Sequence, residues 1–76
     1  MSKKIPALKP RRVLRALLKL GFFIQHQTGS HLRLRHPQKP NPITLVRHDR
    51  IELYHLITQR MLRQAEISEE QFLDSL

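Results

Sequence analysis

Cysteine is absent from the 76 residues, which excludes disulfides and thiolate metal sites and suits a chain kept in a reducing compartment. Long apolar runs are absent too. Met1-Ser2-Lys3-Lys4-Ile5-Pro6 is charged, and no stretch long enough for a signal peptide or a membrane span follows it, so a cytoplasmic location is expected. Acid is scarce where base is plentiful: residues 1–50 carry 12 Lys and Arg against one acid, Asp49, a net charge of +11. Residues 51–76 carry 2 basic and 5 acidic side chains, net −3, which gives +8 for the whole. So uneven a balance marks a surface for a polyanion, of which nucleic acid is the commonest for a small soluble domain. Length allows a single domain over residues 1–76, with residues 1–8 expected as a flexible arm and no room for a separate cofactor domain.

From Pro10 to Leu20 the apolar residues Val13, Leu14, Leu17 and Leu18 recur at helical spacing. Pro10 suits a first turn, and Gly21 suits a left-handed C-terminus. The same helix carries Arg12, Arg15 and Lys19, a basic stripe that is either solvated or in contact with backbone phosphates. Residues 22–28 are rich in aromatic and β-branched types and lead into Gly29, which predicts a strand and a hairpin turn into a second strand at His31–His36. A third strand is expected over Ile43–Arg47. It follows a loop at 37–42 whose three prolines cannot donate ladder hydrogen bonds. Leu53, Leu56, Ile57, Met61 and Leu62 predict a second amphipathic helix packed on the same sheet face. Ser68 opens a short third helix, with Gln71 completing a capping box and Ile67 stapled to Phe72; Leu73 and Leu76 close the core edge.

The chemistry concentrates at Gly29-Ser30-His31. A tight turn here delivers His31 to the head of a strand whose alternation sends Leu32 and Leu34 to one face and His31, Arg33 and Arg35 to the other. An imidazole between two guanidiniums fits phosphate chemistry. RNA carries its own nucleophile, the 2′-hydroxyl, so its cleavage requires only a base, a positive charge for the pentavalent transition state and an acid for the leaving oxygen. Histidine, with an unperturbed pKa of about 6.5, serves as base or acid near neutral pH. His26, His36 or water could carry the other proton, although surface or turn roles are the plainer reading of His26, His36, His48 and His55. Mg²⁺ sites are built on carboxylates, and the histidine spacings match no zinc motif, so no metal and no cofactor are expected.

Gly21-Phe22, Gln27, Gly29-Ser30-His31, Arg35-His36-Pro37, His48, Leu62-Arg63-Gln64-Ala65, Ile67-Ser68, Glu70 and Phe72-Leu73 together resemble the HicA family of small bacterial toxins, from about residue 8 to the C-terminus. The resemblance implies an α+β fold similar to a double-stranded-RNA-binding domain (helix, three-stranded antiparallel sheet, helix). It implies an mRNA-cleaving endoribonuclease of a toxin-antitoxin system, a HicB-like antitoxin partner that covers the site, and His31 as the catalytic histidine. With Ser30, Arg33, Arg35, Arg12, Arg15 and Lys19 as RNA contacts, it completes the expected site. The chain departs from the family pattern in having Glu66 where glycine is usual, in lacking a Gly-Thr pair between His48 and the second helix, and in its proline-rich 37–42 segment. The main rival reading is a non-catalytic RNA-binding module, which turnover alone separates from an enzyme; a degenerate toxin that only binds its antitoxin, a protein-interaction module, is the other, favoured by an absence of RNA binding at low salt.

Overall fold

Pro10 opens the first helix because its missing N–H falls where a helix has no internal acceptor. The computed structural model describes residues 5–48 and 55–76. Its elements are α1 (Pro10–Lys19), β1 (Phe23–Thr28), β2 (His31–His36), β3 (Lys39–Val46), α2 (His55–Gln64) and α3 (Glu69–Asp74). The strands form one antiparallel sheet in the order β1-β2-β3. Leu32 and Leu34 of β2 and Ile43 and Leu45 of β3 join Val13, Leu14 and Leu17 of α1, Met61 and Leu62 of α2, and Phe72 of α3 in a single core. The helices therefore cover one sheet face and leave the other open. This is the helix-strand-strand-strand-helix order that the periodicities predict, and the α+β, double-stranded-RNA-binding-domain-like layout that the family resemblance implies.

Both long helices end in the same device. Gly21 sits at φ +99° after α1, with Phe22 N–H donating to Leu17 O and Gly21 N–H to Leu18 O. After α2, Glu66 holds φ +59°, with Ile67 N–H donating to Leu62 O and Glu66 N–H to Arg63 O. These are paired Schellman caps, and each turns a large apolar residue, Phe22 or Ile67, back into the core. The departure at Glu66 thus falls on a position that does require a left-handed backbone. Lys39 Nζ donates to Glu66 O at 2.9 Å, and Asn41 Nδ2 donates to Gln64 O at 3.1 Å, so β3 ties down the carbonyl end of α2. The capping box of Ser68 and Gln71 forms as predicted, with Gln71 N–H donating to Ser68 Oγ at 3.1 Å.

Three expectations are corrected. The third strand begins at Lys39, not at Ile43, so Pro40 and Pro42 lie inside β3. Prolines are admitted there because β3 is an edge strand and its register slips between Leu34 and His36, forming a bulge that leaves part of the ladder unpaired. The connecting turn shrinks to Pro37-Gln38. Leu56 and Ile57, expected to pack inward, are 57% and 47% exposed; Met61 and Leu62 are buried as expected, joined by Thr58 and, beyond the helix end, by Ala65. The expected arm at 1–8 is packed in its described part, because Ile5 and Leu8 are core residues. Leu53 and the segment that lacks the Gly-Thr pair lie outside the described residues.

Candidate active site on the open sheet face

Thr28 pairs with His31 across a two-residue turn made by Gly29 and Ser30. Gly29 has φ +57° and Ser30 does not share the positive sign, which is the pattern of a type II′ hairpin turn. Arg47 N–H donates to Ser30 O at 2.7 Å, which ties the end of β3 to the turn and holds the head of β2 between its two neighbours. His31 is thereby fixed on a scaffold rather than on a free loop.

Strand alternation then distributes the side chains. Leu32 and Leu34 are buried against the helices, while His31 and Arg33 are exposed and Arg35 is half-buried on the open face, as the sequence predicts. Cross-strand partners share a face. The open face therefore also receives Phe23 opposite Arg35, His26 opposite Arg33 and Thr28 opposite His31 from β1. From β3 it receives Thr44 opposite Arg33 and Val46 opposite His31. None of these residues is acidic, so the positive charge of the face is uncompensated by its own neighbours.

His26 reaches that face through an irregularity. Simple alternation from Phe23 would send His26 to the helix side with Ile24. The register instead shifts between Ile24 and His26, and Gln25 is the extra residue. The Gln25 side chain accepts from Arg35 Nε at 3.2 Å, which braces both the bulge and the guanidinium. Beyond the bulge the count is reset, and His26 and Thr28 stand beside Arg33 and His31. His26 Nε2 and Thr28 Oγ1 are 2.8 Å apart. Nothing in the sequence marks a bulge at Gln25, so this neighbourhood was not legible from strand period alone.

His36 has a different job. Its Nδ1 accepts from Gln38 N–H at 3.0 Å, which leaves Nε2 as the protonated nitrogen, donating to Leu20 O at 3.1 Å. The ring also meets Phe22 edge-on with centroids 5.0 Å apart. With both nitrogens engaged, His36 locks the β2–β3 turn to the end of α1. Gly21 is needed beneath it, because a Cβ there would lie 2.8 Å from His36 Nε2.

Of the predicted site residues, the structure brings His31, Arg33 and Arg35 onto one face, with Ser30 in the adjoining turn. Arg12, Arg15 and Lys19 lie elsewhere: all three are exposed on α1, whose buried side packs against the opposite sheet face. Among the described residues, no three His, Asp or Glu side chains are placed to hold a metal ion.

A small α+β domain with a double-stranded-RNA-binding-domain-like layout, whose open sheet face presents histidine and arginine after a Gly-Ser turn, is the class that these observations define. The family model described as HicA toxin of bacterial toxin-antitoxin matches residues 10–67, from the first residue of α1 through the cap after α2. The chain belongs to the HicA toxin family, and so to a toxin-antitoxin system in which a HicB-type antitoxin is the partner. No curated protein matches it.

Proposed function

We infer that this toxin is a metal-independent endoribonuclease acting on mRNA, with His31 as general acid/base on the open sheet face. The observation that carries the reading is the convergence of an exposed imidazole with Arg33 and Arg35 on a face that holds no carboxylate among the described residues. The two guanidiniums offer bidentate donors to non-bridging phosphate oxygens and offset the charge that grows as phosphorus becomes pentavalent. His31, whose ring makes no hydrogen bond among the described residues, is open to take the 2′-hydroxyl proton. Ser30 adds a hydroxyl beside the same phosphate. No step calls for a metal-bound water, because the nucleophile belongs to the RNA.

Arg12, Arg15 and Lys19 serve at a distance from the reacting bond. They draw the RNA backbone electrostatically and hold phosphates remote from the one cleaved. The antitoxin, by covering the open face, would exclude RNA from His31.

The test is a single-turnover cleavage assay. His31→Ala is expected to keep the fold and RNA affinity and to lose cleavage by about 10²–10⁴-fold, the usual range for a removed general acid or base. An unchanged rate contradicts the assignment, and binding without cleavage by the wild type points to a non-catalytic RNA-binding module.

A further inference from the structure

We propose that His26 is the second proton-transfer group of this site, donating to the leaving 5′-oxygen while His31 accepts the proton of the 2′-hydroxyl. The proposal rests on the ribonuclease reading above and deepens it.

Three independent features place His26 for this work. The bulge at Gln25 turns His26 to the open face, where it stands directly opposite Arg33 and two residue pairs along the strands from His31, the next pair on that face. Bulges are a recurrent way of re-aiming a side chain next to a reaction site. Thr28, opposite His31, holds His26 by Nε2 at 2.8 Å. Its Nδ1 makes no hydrogen bond among the described residues and stays open to substrate. Diagonal neighbours on adjacent strands stand about 7–8 Å apart, a separation that leaves room for one phosphate between two rings. Arg33 of β2 shares the open face with both, directly opposite His26 and two residues along the strand from His31.

The chemistry balances without a further reactant. The 2′-O–H bond breaks and its proton passes to the neutral ring of His31. The 2′-oxygen then bonds to phosphorus, the P–O5′ bond breaks, and the 5′-oxygen takes a proton from the His26 imidazolium. The products are a 2′,3′-cyclic phosphate and a 5′-hydroxyl, and the two rings have exchanged protonation states. Thr28 accepts the Nε2 proton of the imidazolium, so Nδ1–H is the donor.

The experiment compares the wild type, His26→Ala, His26→Gln and His31→Ala on two single-stranded RNAs of one sequence. One carries the ordinary 5′-oxygen at the cleaved bond, and the other carries sulfur there, a leaving atom that needs no proton. Circular dichroism checks each fold; His26 is exposed, so its loss leaves the core intact. Both His26 variants are expected to cleave the oxygen substrate about 10²–10³-fold more slowly than the wild type and the sulfur substrate at nearly its rate. His31→Ala is expected to be slow on both. Wild-type rates in the His26 variants on the oxygen substrate, or equal losses on the two substrates, overturn the role of His26 and leave His31 standing. A His31→Ala protein as fast as the wild type, or a wild type that cleaves neither RNA, overturns the ribonuclease reading itself and His26 with it.

Discussion

Residues that look alike in the sequence carry unlike duties, and hydrogen bonding is what separates them. Five histidines are present. His36 spends both nitrogens on the fold, His26 spends one on Thr28, and His31 spends none among the described residues. Gly21 is tied to the first of these. Gly21→Ala should lower stability by roughly 2 kcal/mol, combining the left-handed backbone penalty with the collision against His36, and so lower Tm by about 10 °C. In a His36→Ala background the same change should cost only about 1 kcal/mol, because the backbone term alone remains. Equal costs in the two backgrounds would show that the ring is not what Gly21 accommodates. Glu66→Gly runs the other way: it relieves a left-handed non-glycine and should raise stability by about 1 kcal/mol, read as a Tm increase of about 4–8 °C. A fall in Tm would mean that the Glu66 side chain compensates for its own strain.

Elements with strong local rules were legible in the sequence, and those shaped by their neighbours were not. The first helix was bounded correctly by Pro10 and Gly21, the hairpin by Gly29-Ser30 and the last helix by its capping box. The open-face placement of His31, Arg33 and Arg35 followed from alternation in β2. The 37–42 segment was misread because proline rules apply to strand interiors, and edge position is a property of the finished sheet. The inward face of α2 was read only in part: Met61 and Leu62 pack inward as expected, but Leu56 and Ile57, which also satisfy the helical period, stay exposed, and Thr58 is buried instead. His26 reaches the open face through a bulge that only strand pairing reveals. At this scale the basic stripe of α1 is also testable. Reversing Arg12, Arg15 and Lys19 to Glu should weaken RNA binding and flatten its salt dependence by about two units of log–log slope. Cleavage of RNA already bound should proceed at the wild-type rate. Unaltered affinity would mean that the stripe is merely solvated.

The whole molecule is a thin two-layer slab, with principal extents of 38 × 31 × 18 Å. One surface of it is the open sheet face with the histidines and arginines, and the helix layer on the other side carries the α1 stripe. Among the described residues no helix is long and apolar enough to cross a membrane. A net charge of +8 acts on both surfaces and draws a polyanion to either, so binding alone says little about function. Turnover does. The most direct measurement is cleavage of a mixed-sequence single-stranded RNA in excess EDTA by the wild type and by His31→Ala, after both are shown to be folded. Cleavage by the wild type, undiminished by chelator and lost in the variant, is the predicted result. Cleavage that EDTA abolishes and Mg²⁺ restores, or that His31→Ala retains in full, would contradict a metal-independent site centred on His31.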